Sequence, residues 1–269
     1  MADGTDEGWR ARLRALLPWF GGAGHDVAGK RLRRPFVRSY GRYTSLQFTR
    51  RQTQSRMLTD APDVLLIDYT RTMLGALLLR PRPATIGMVG LGGGSQAKFC
   101  YRHLPQARIE VVENNPHVIR LRRRFGIPDD DDRLRVFLDD GARFVSARRG
   151  RYGLLLVDGY DETGIPAPLA TQQFYDDCRD ALADGGVAAF NLFCADALDH
   201  VARLRCSFGA GRVLVVGEAK MSNRVAFAWT GSTPAADALQ PQRALDALPA
   251  AAREELAPVF ARVAQAFGA

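Results

Sequence analysis

The chain has 269 residues, 46 % apolar and 25 % charged, which suits a globular enzyme with a sizeable core and excludes collagen-like, coiled-coil and extended disordered classes. Its formal charge is +8, and every basic residue except Lys30, Lys98 and Lys220 is an arginine. Charge of that size attracts polyanions in general without identifying one, so it reads as a solvated arginine-rich surface rather than a nucleic-acid footprint.

The elements follow in chain order. Trp9, Leu13, Leu16, Leu17 and Phe20 have helical spacing and stop at Gly21-Gly22, which predicts an amphipathic extension over residues 1–33. A second unit, residues 34–80, opens with two β-rich runs, Phe36–Tyr40 and Tyr43–Phe48, split by Gly41-Arg42 into a small antiparallel hairpin. A helix is predicted from Leu65 to Leu79, ended by Pro81-Arg82-Pro83.

Residues 81–269 change period. Apolar strands are predicted at Ile86–Leu91, Ile109–Val112, Leu134–Phe137, Leu154–Val157 and Val187–Leu192. Helices are predicted between them at Gln96–His103, Pro116–Phe125, Gly141–Ala147 and Thr171–Leu182. This alternation implies βαβ units and a mostly parallel sheet buried on both faces, a Rossmann-like α/β fold. Val213–Val216 and Arg224–Trp229 add two strands with an antiparallel edge, and the Ala-rich tail from Pro234 reads as helix.

Cys100, Cys178, Cys194 and Cys206 are widely spaced, with no Cys-x-x-Cys pair and no nearby histidine cluster. Reduced, mostly buried thiols in the cytosol are expected, and no metal site. No apolar run approaches the roughly 20 residues of a membrane span, and the N-terminus lacks a signal-peptide core. A soluble cytoplasmic protein is the expectation.

The chemistry-bearing residues sit at predicted strand tips. Gly90, Gly92, Gly93 and Gly94 form a glycine-rich turn between the first strand of the periodic region and its helix, where backbone can approach a ligand under the helix N-terminus. Glu113 ends the next strand, about 20 residues on, where a carboxylate accepts hydrogen bonds from both ribose hydroxyls. Asp140-Gly141 ends the third strand; the acid suits an exocyclic amine of adenine, a helix N-cap, or both, and Asp139 is its near neighbour. Asp158-Gly-Tyr-Asp161 ends the fourth. Two carboxylates three residues apart suit a cationic amine, one holding it while the other takes its proton.

Taken together, Gly92-Gly93-Gly94-Ser95, Glu113, Asp140-Gly141, Asp158 to Asp161, Gly164-Ile-Pro166-Ala167, Gln173-Phe174-Tyr175 and Leu182-Ala-Asp-Gly185-Gly186-Val187 resemble the spermidine/spermine synthase family of polyamine aminopropyltransferases, as a divergent member. The resemblance runs from about Tyr40 to Trp229. It implies an S-adenosylmethionine-dependent methyltransferase fold, decarboxylated S-adenosylmethionine as co-substrate, a small-molecule amine acceptor, no metal, and a homodimer. Glu113 would hold the ribose and Asp140 the adenine. Asp158 would be the base, and Asp161 a partner for the amine. Gln54, Tyr69 and Tyr160 would lie on the substrate side, and Gly164 to Leu169 would close over it.

Three positions depart from the family pattern. Ser95 stands where an acid is usual, Glu162 where a proline is usual, and Tyr69-Thr70-Arg71 replaces a segment that carries an acid. The donor half therefore looks intact and the acceptor half altered. A methyltransferase using ordinary S-adenosylmethionine, whose carboxylate could meet a cation, stays open beside aminopropyl transfer. So does a non-catalytic nucleoside-binding homologue; an NAD-dependent oxidoreductase lacks an evident hydride-transfer constellation.

Overall fold

The computed structural model describes residues 32–50, 52–161, 164–218, 222–233 and 239–268. The predicted N-terminal amphipathic helix lies outside them. The described chain opens with an antiparallel sheet of β1 (Phe36–Tyr40), β2 (Tyr43–Thr49) and β3 (Gln52–Leu58), in that order. The hairpin forms as read, with Tyr40 paired to Tyr43. Its third strand is a correction. Residues 52–56 show no apolar alternation, and β3 exists because it pairs with β2 across two register shifts and turns Ser55 and Met57 inward.

The helix expected over 65–79 is shorter. It comprises α1 (Asp68–Met73) and then a 3-10 turn, Leu74–Leu78, every residue of which is buried. The tighter turn brings Gly75 against the C-terminal helix, where an added Cβ would stand 2.9 Å from Val263.

The larger sheet has seven strands, β4 (Thr85–Val89), β5 (Arg108–Glu113), β6 (Leu134–Leu138), β7 (Tyr152–Val157), β8 (Leu182–Leu192), β9 (Val213–Gly217) and β10 (Arg224–Trp229). Their order is β6-β5-β4-β7-β8-β10-β9. The first five in that order run parallel, and β10 is antiparallel to both β8 and β9. Helices α2 (Ser95–His103), α3 (Pro116–Ile119), α4 (Gly141–Ser146), α5 (Gln172–Ala181) and α6 (Ala197–Phe208) connect the strands, followed by α7 (Pro241–Asp246) and α8 (Ala250–Phe267). The single helix expected over 116–125 is instead α3 and a separate 3-10 turn, Arg122–Phe125.

Apolar residues along β7 and β8 alternate between two cores. Leu154, Leu156, Val187 and Ala189 face the core shared with Phe99 of α2 and Leu256 and Phe260 of α8. Leu155, Val157, Ala188 and Phe190 face the core shared with Phe144 of α4, Phe174 of α5 and Leu204 of α6. Helices on both faces explain why these strands read as nearly unbroken apolar runs. Strand β8 begins five residues before the predicted start, because Leu182 pairs with Tyr152 and Thr230 accepts the Gly186 N–H at 3.0 Å. The Asp184-Gly185-Gly186 stretch, which looks like a turn in sequence, is an irregular strand opening.

One packing detail ties three strands together. Tyr152 on β7 lies across Gly87 on β4 and donates its hydroxyl to Glu110 on β5 at 2.9 Å. A Cβ at Gly87 would stand 2.9 Å from the ring. Gly87→Ala is therefore expected to destabilise the fold by about 1–3 kcal/mol, the usual range for overpacking, as a lower urea midpoint with unchanged slope.

Among the cysteines, all free, Cys100 and Cys178 are buried, Cys194 is partly so and Cys206 is exposed, so expected burial holds for only two. No described helix is long and apolar enough to cross a membrane.

Candidate active site

Strand order reverses at β4, whose neighbours β5 and β7 lead away to opposite edges, and open α/β sheets bind ligands at the carboxyl ends of such strands. A cavity of about 940 Å³ opens there, within the roughly 300–1,000 Å³ range of small-molecule sites. Its wall includes Gly90, Gly92, Gly93, Glu113, Asp140, Gly141, Asp158, Tyr160 and Asp161 from the large sheet, with Gln54 from β3 and Tyr69 from α1. The three-stranded sheet thus forms one side of the cavity. Gly94 is not part of the wall; it caps α2 from outside and packs against Ile127.

The glycine turn is shaped by close approach. Gly90 has φ +96°, a left-handed value that side chains disfavour, and a Cβ there would run into the carbonyl oxygen of Asp158. Beneath the turn, Glu113 accepts the Leu91 N–H at 3.0 Å on Oε2 and the Asn115 N–H at 2.8 Å on Oε1. Burial pushes its carboxyl above the usual glutamate range, opposed by backbone N–H groups of Asn115, Leu91, Gly92 and Asn114. The carboxylate that fixes the turn is also part of the cavity wall, where donors of a bound molecule can approach it.

Asp140 caps α4 by accepting the Arg143 N–H at 3.0 Å, so the capping role is filled whatever else the acid does. Asp139, its possible substitute, is bound by the Arg143 guanidinium and is not part of the cavity wall. Gly141 admits no bulk, since a Cβ would meet Val89 at 2.8 Å and Leu169 at 3.2 Å.

Asp158 is held by side chains from two other segments. Its Oδ2 accepts the Tyr69 hydroxyl at 3.0 Å and its Oδ1 the Asn191 amide N–H at 2.8 Å. Asn191 in turn accepts from Asn223 Nδ2 at 2.8 Å. Burial raises the Asp158 carboxyl above the ordinary aspartate range, and the Asn191 and Tyr69 bonds pull it back in part. Burial likewise lifts the Tyr69 phenol well above its usual value, with the Asp158 charge adding to it. Tyr69 therefore stays the donor and Asp158 the acceptor across this bond, and a buried carboxylate with a raised protonation range is chemically suited to accept a proton.

Asn191 and Asn223 both line the cavity, and neither was identified from sequence. The one available signal was an amide inside the apolar run Val187–Leu192. A buried Asn there needs partners, which come from segments more than 30 residues away. Asn223 Oδ1 and Gln54 Nε2 are buried with no hydrogen-bond partner among the described residues. Such groups cost about 1–3 kcal/mol each unless a ligand meets them.

Tyr160 contributes its ring to the wall, but its hydroxyl is committed to β8, donating to the Asn191 carbonyl at 2.7 Å and accepting the Phe193 N–H at 2.6 Å. Asp161 faces the cavity from a short bridge to Gly164. Ile165, Pro166, Ala167, Pro168 and Leu169 complete that side. Glu162 lies outside the described residues. Ser95 lines the cavity, whereas Arg71 does not. Its guanidinium pairs with Asp68 at 2.7 Å and approaches Glu255 at 4.0 Å, so the cation gained in that segment is neutralised away from the site.

Residues 68–194 match the spermine/spermidine synthase domain. A polyamine aminopropyltransferase of Chromobacterium violaceum is 38 % identical over 157 residues, 58 % of this chain and 60 % of that protein, so the chain spans about three fifths of such relatives. A mouse protein named eEF1A lysine and N-terminal methyltransferase is 32 % identical over 129 residues, 44 % of this chain and 18 % of the mouse protein. A probable spermidine synthase of Corynebacterium glutamicum superposes with a TM-score of 0.66 at 17 % identity, covering 79 % of this chain and 82 % of that one, which is a likeness of fold.

Proposed function

Because residues 68–194 match the spermine/spermidine synthase domain, we propose that this chain transfers an aminopropyl group from decarboxylated S-adenosylmethionine to an amine such as putrescine. The observation that carries the reading is the gathering of Glu113, Asp140, Asp158 and Asp161 around one cavity, with the glycine turn at Gly90–Gly93 as its floor. Glu113 takes the ribose hydroxyls, Asp140 the adenine amine, and Asp161 the cationic acceptor. Gln54 offers its unpartnered Nε2 as a donor on the acceptor side.

The chemistry asks little else of the protein. The acceptor nitrogen attacks the aminopropyl carbon beside sulfur, the carbon–sulfur bond breaks with its electron pair going to sulfur, and a neutral thioether leaves. The proton released by the amine passes to Asp158. Alignment of nitrogen and carbon lowers the barrier by up to about 7–11 kcal/mol, and the positioned base adds about 10²–10⁴-fold.

Two further parts of the proposal concern setting. A homodimer is supported by Phe36, Tyr40 and Tyr43, large side chains left exposed on the small sheet, with Tyr43 directly across from Tyr40. Action in the cytoplasm is supported by four free thiols.

A methyltransferase using ordinary S-adenosylmethionine is the second reading. Arg33 and Arg56 on the cavity wall favour it, because either could pair with the donor's carboxylate. Calorimetry separates the two. Decarboxylated S-adenosylmethionine is expected to bind at least tenfold tighter than the ordinary form, and the reverse order would replace the first reading with the second.

Tyr69 gives a sharper check. Transfer needs the Asp158 carboxylate, so the rate should rise with pH through a limb above the ordinary aspartate range. The same raised value means that this group's contribution to stability falls as pH rises across that window, since the fold favours its protonated form. Tyr69→Phe removes a bond that favours the carboxylate. It should move the limb upward and lower kcat about tenfold, about 1.4 kcal/mol. A rate profile with an unmoved limb would remove Tyr69 from the account of Asp158.

A further inference from the structure

Outside the cavity, the connection from β8 to α6 brings Cys194, Asp196 and His200 together, with one sulfur, one oxygen and one nitrogen all within 4.8 Å of one another. No metal-binding motif is visible in the sequence at this place. The fold creates the cluster because Asp196 occupies the N-cap of α6 and His200 follows one turn later on the same side. His200 Nε2 already lies 3.5 Å from Asp196 Oδ2, and Asp196 makes no side-chain capping bond to the helix. The imidazole is held from behind, its Nδ1 sharing a hydrogen bond of 2.6 Å with the buried Tyr175 hydroxyl. That is the arrangement by which proteins fix the ring and tautomer of a metal-bound histidine.

We propose that Cys194, Asp196 and His200 form a binding site for a single borderline divalent transition-metal ion of the zinc class. A thiolate and an imidazole suit zinc and its neighbours, while calcium and magnesium take oxygen ligands. With metal–ligand distances of about 2.0–2.3 Å, tetrahedral ligands stand roughly 3.3–3.6 Å apart. The Asp196–His200 edge, at 3.5 Å, meets that spacing, and the sulfur, within 4.8 Å of both, has to close by at most roughly 1.2–1.5 Å. On binding, the Cys194 sulfur–hydrogen bond breaks, a sulfur–metal bond forms and the proton goes to solvent. Asp196 is well exposed, its side chain retaining 60 % of its accessible surface, which leaves the fourth position open to water.

The consequence reaches the cavity rim. Phe193, next to Cys194 and 46 % exposed, lines the cavity and is tied through its N–H to Tyr160. An ion bridging the end of β8 to the first turn of α6 would hold that rim in place. The site is independent of the proposed transfer reaction, and so is its test.

The test is a zinc titration of the chelator-treated full chain against a chromophoric indicator. One zinc per chain is expected, with affinity at least tenfold lower in Cys194→Ser and in Asp196→Ala. Both positions retain exposure, and each variant's metal-free urea midpoint checks that it folds. Cobalt substitution should add a thiolate-to-metal absorption band that Cys194→Ser lacks. Failure of the wild-type chain to compete with the indicator would overturn the proposal, as would equal retention of zinc by both variants or a cobalt spectrum without the thiolate band.

Discussion

Asp158→Asn is expected to lower kcat for aminopropyl transfer by about 10²–10⁴-fold, or roughly 3–5 kcal/mol of activation free energy. The substitution keeps the shape of the side chain and removes its capacity to accept the amine proton. Tyr69 can turn its hydroxyl to suit an amide, so the local packing has a way to adapt. Asp158 is held in the folded chain against the cost of burying its charge, as its raised protonation range indicates. The variant should therefore be as stable as the parent or more so at neutral pH. A large loss of rate without loss of stability is the signature of a catalytic base. A variant that keeps its rate, or loses it only because it unfolds, would contradict that role.

Glu113→Gln is expected to weaken binding of the nucleoside co-substrate about 100-fold, close to 2.7 kcal/mol. Both carboxylate oxygens accept backbone N–H groups, from Leu91 and Asn115, and those bonds hold the glycine turn against the end of β5. A glutamine must present an NH₂ group to one of them, donor against donor. The turn is released at the place where ribose hydroxyls would also be bound, so two effects of about 1.5 kcal/mol combine. Isothermal calorimetry reads the outcome directly. Affinity within threefold of the parent would place the ribose elsewhere.

The parts of the site that were legible in sequence are local ones. An acid at the end of an apolar run announces itself, and Glu113, Asp140 and Asp158 all stand at such ends, the latter two followed by glycine, because β-strand tip and turn are neighbours along the chain. The alternation of apolar runs and helical segments specified the sheet for the same reason. Strand β3 escaped notice because Gln52-Thr53-Gln54-Ser55-Arg56 has no period, and only pairing with β2 makes it a strand. On its side of the cavity only Gln54 was named, through the family resemblance, while Ser55 and Arg56 were not. The Asp158 relay was hidden more deeply. Tyr69, placed on the substrate side by the resemblance, and Asn191 and Asn223, which were not named, stand 89, 33 and 65 residues from Asp158 along the chain, and nothing local records that they meet it. Arg71 illustrates the opposite error, since in sequence it places a cation beside the acceptor, whereas Asp68 and Glu255 draw it off the wall.

The most direct measurement is product analysis by mass spectrometry after incubating the chain with decarboxylated S-adenosylmethionine and putrescine. Spermidine and methylthioadenosine should appear in equal amounts, and both should vanish with Asp158→Asn. Absence of both products from the parent chain, or methylation of an acceptor when ordinary S-adenosylmethionine is supplied instead, would contradict aminopropyl transfer at this cavity.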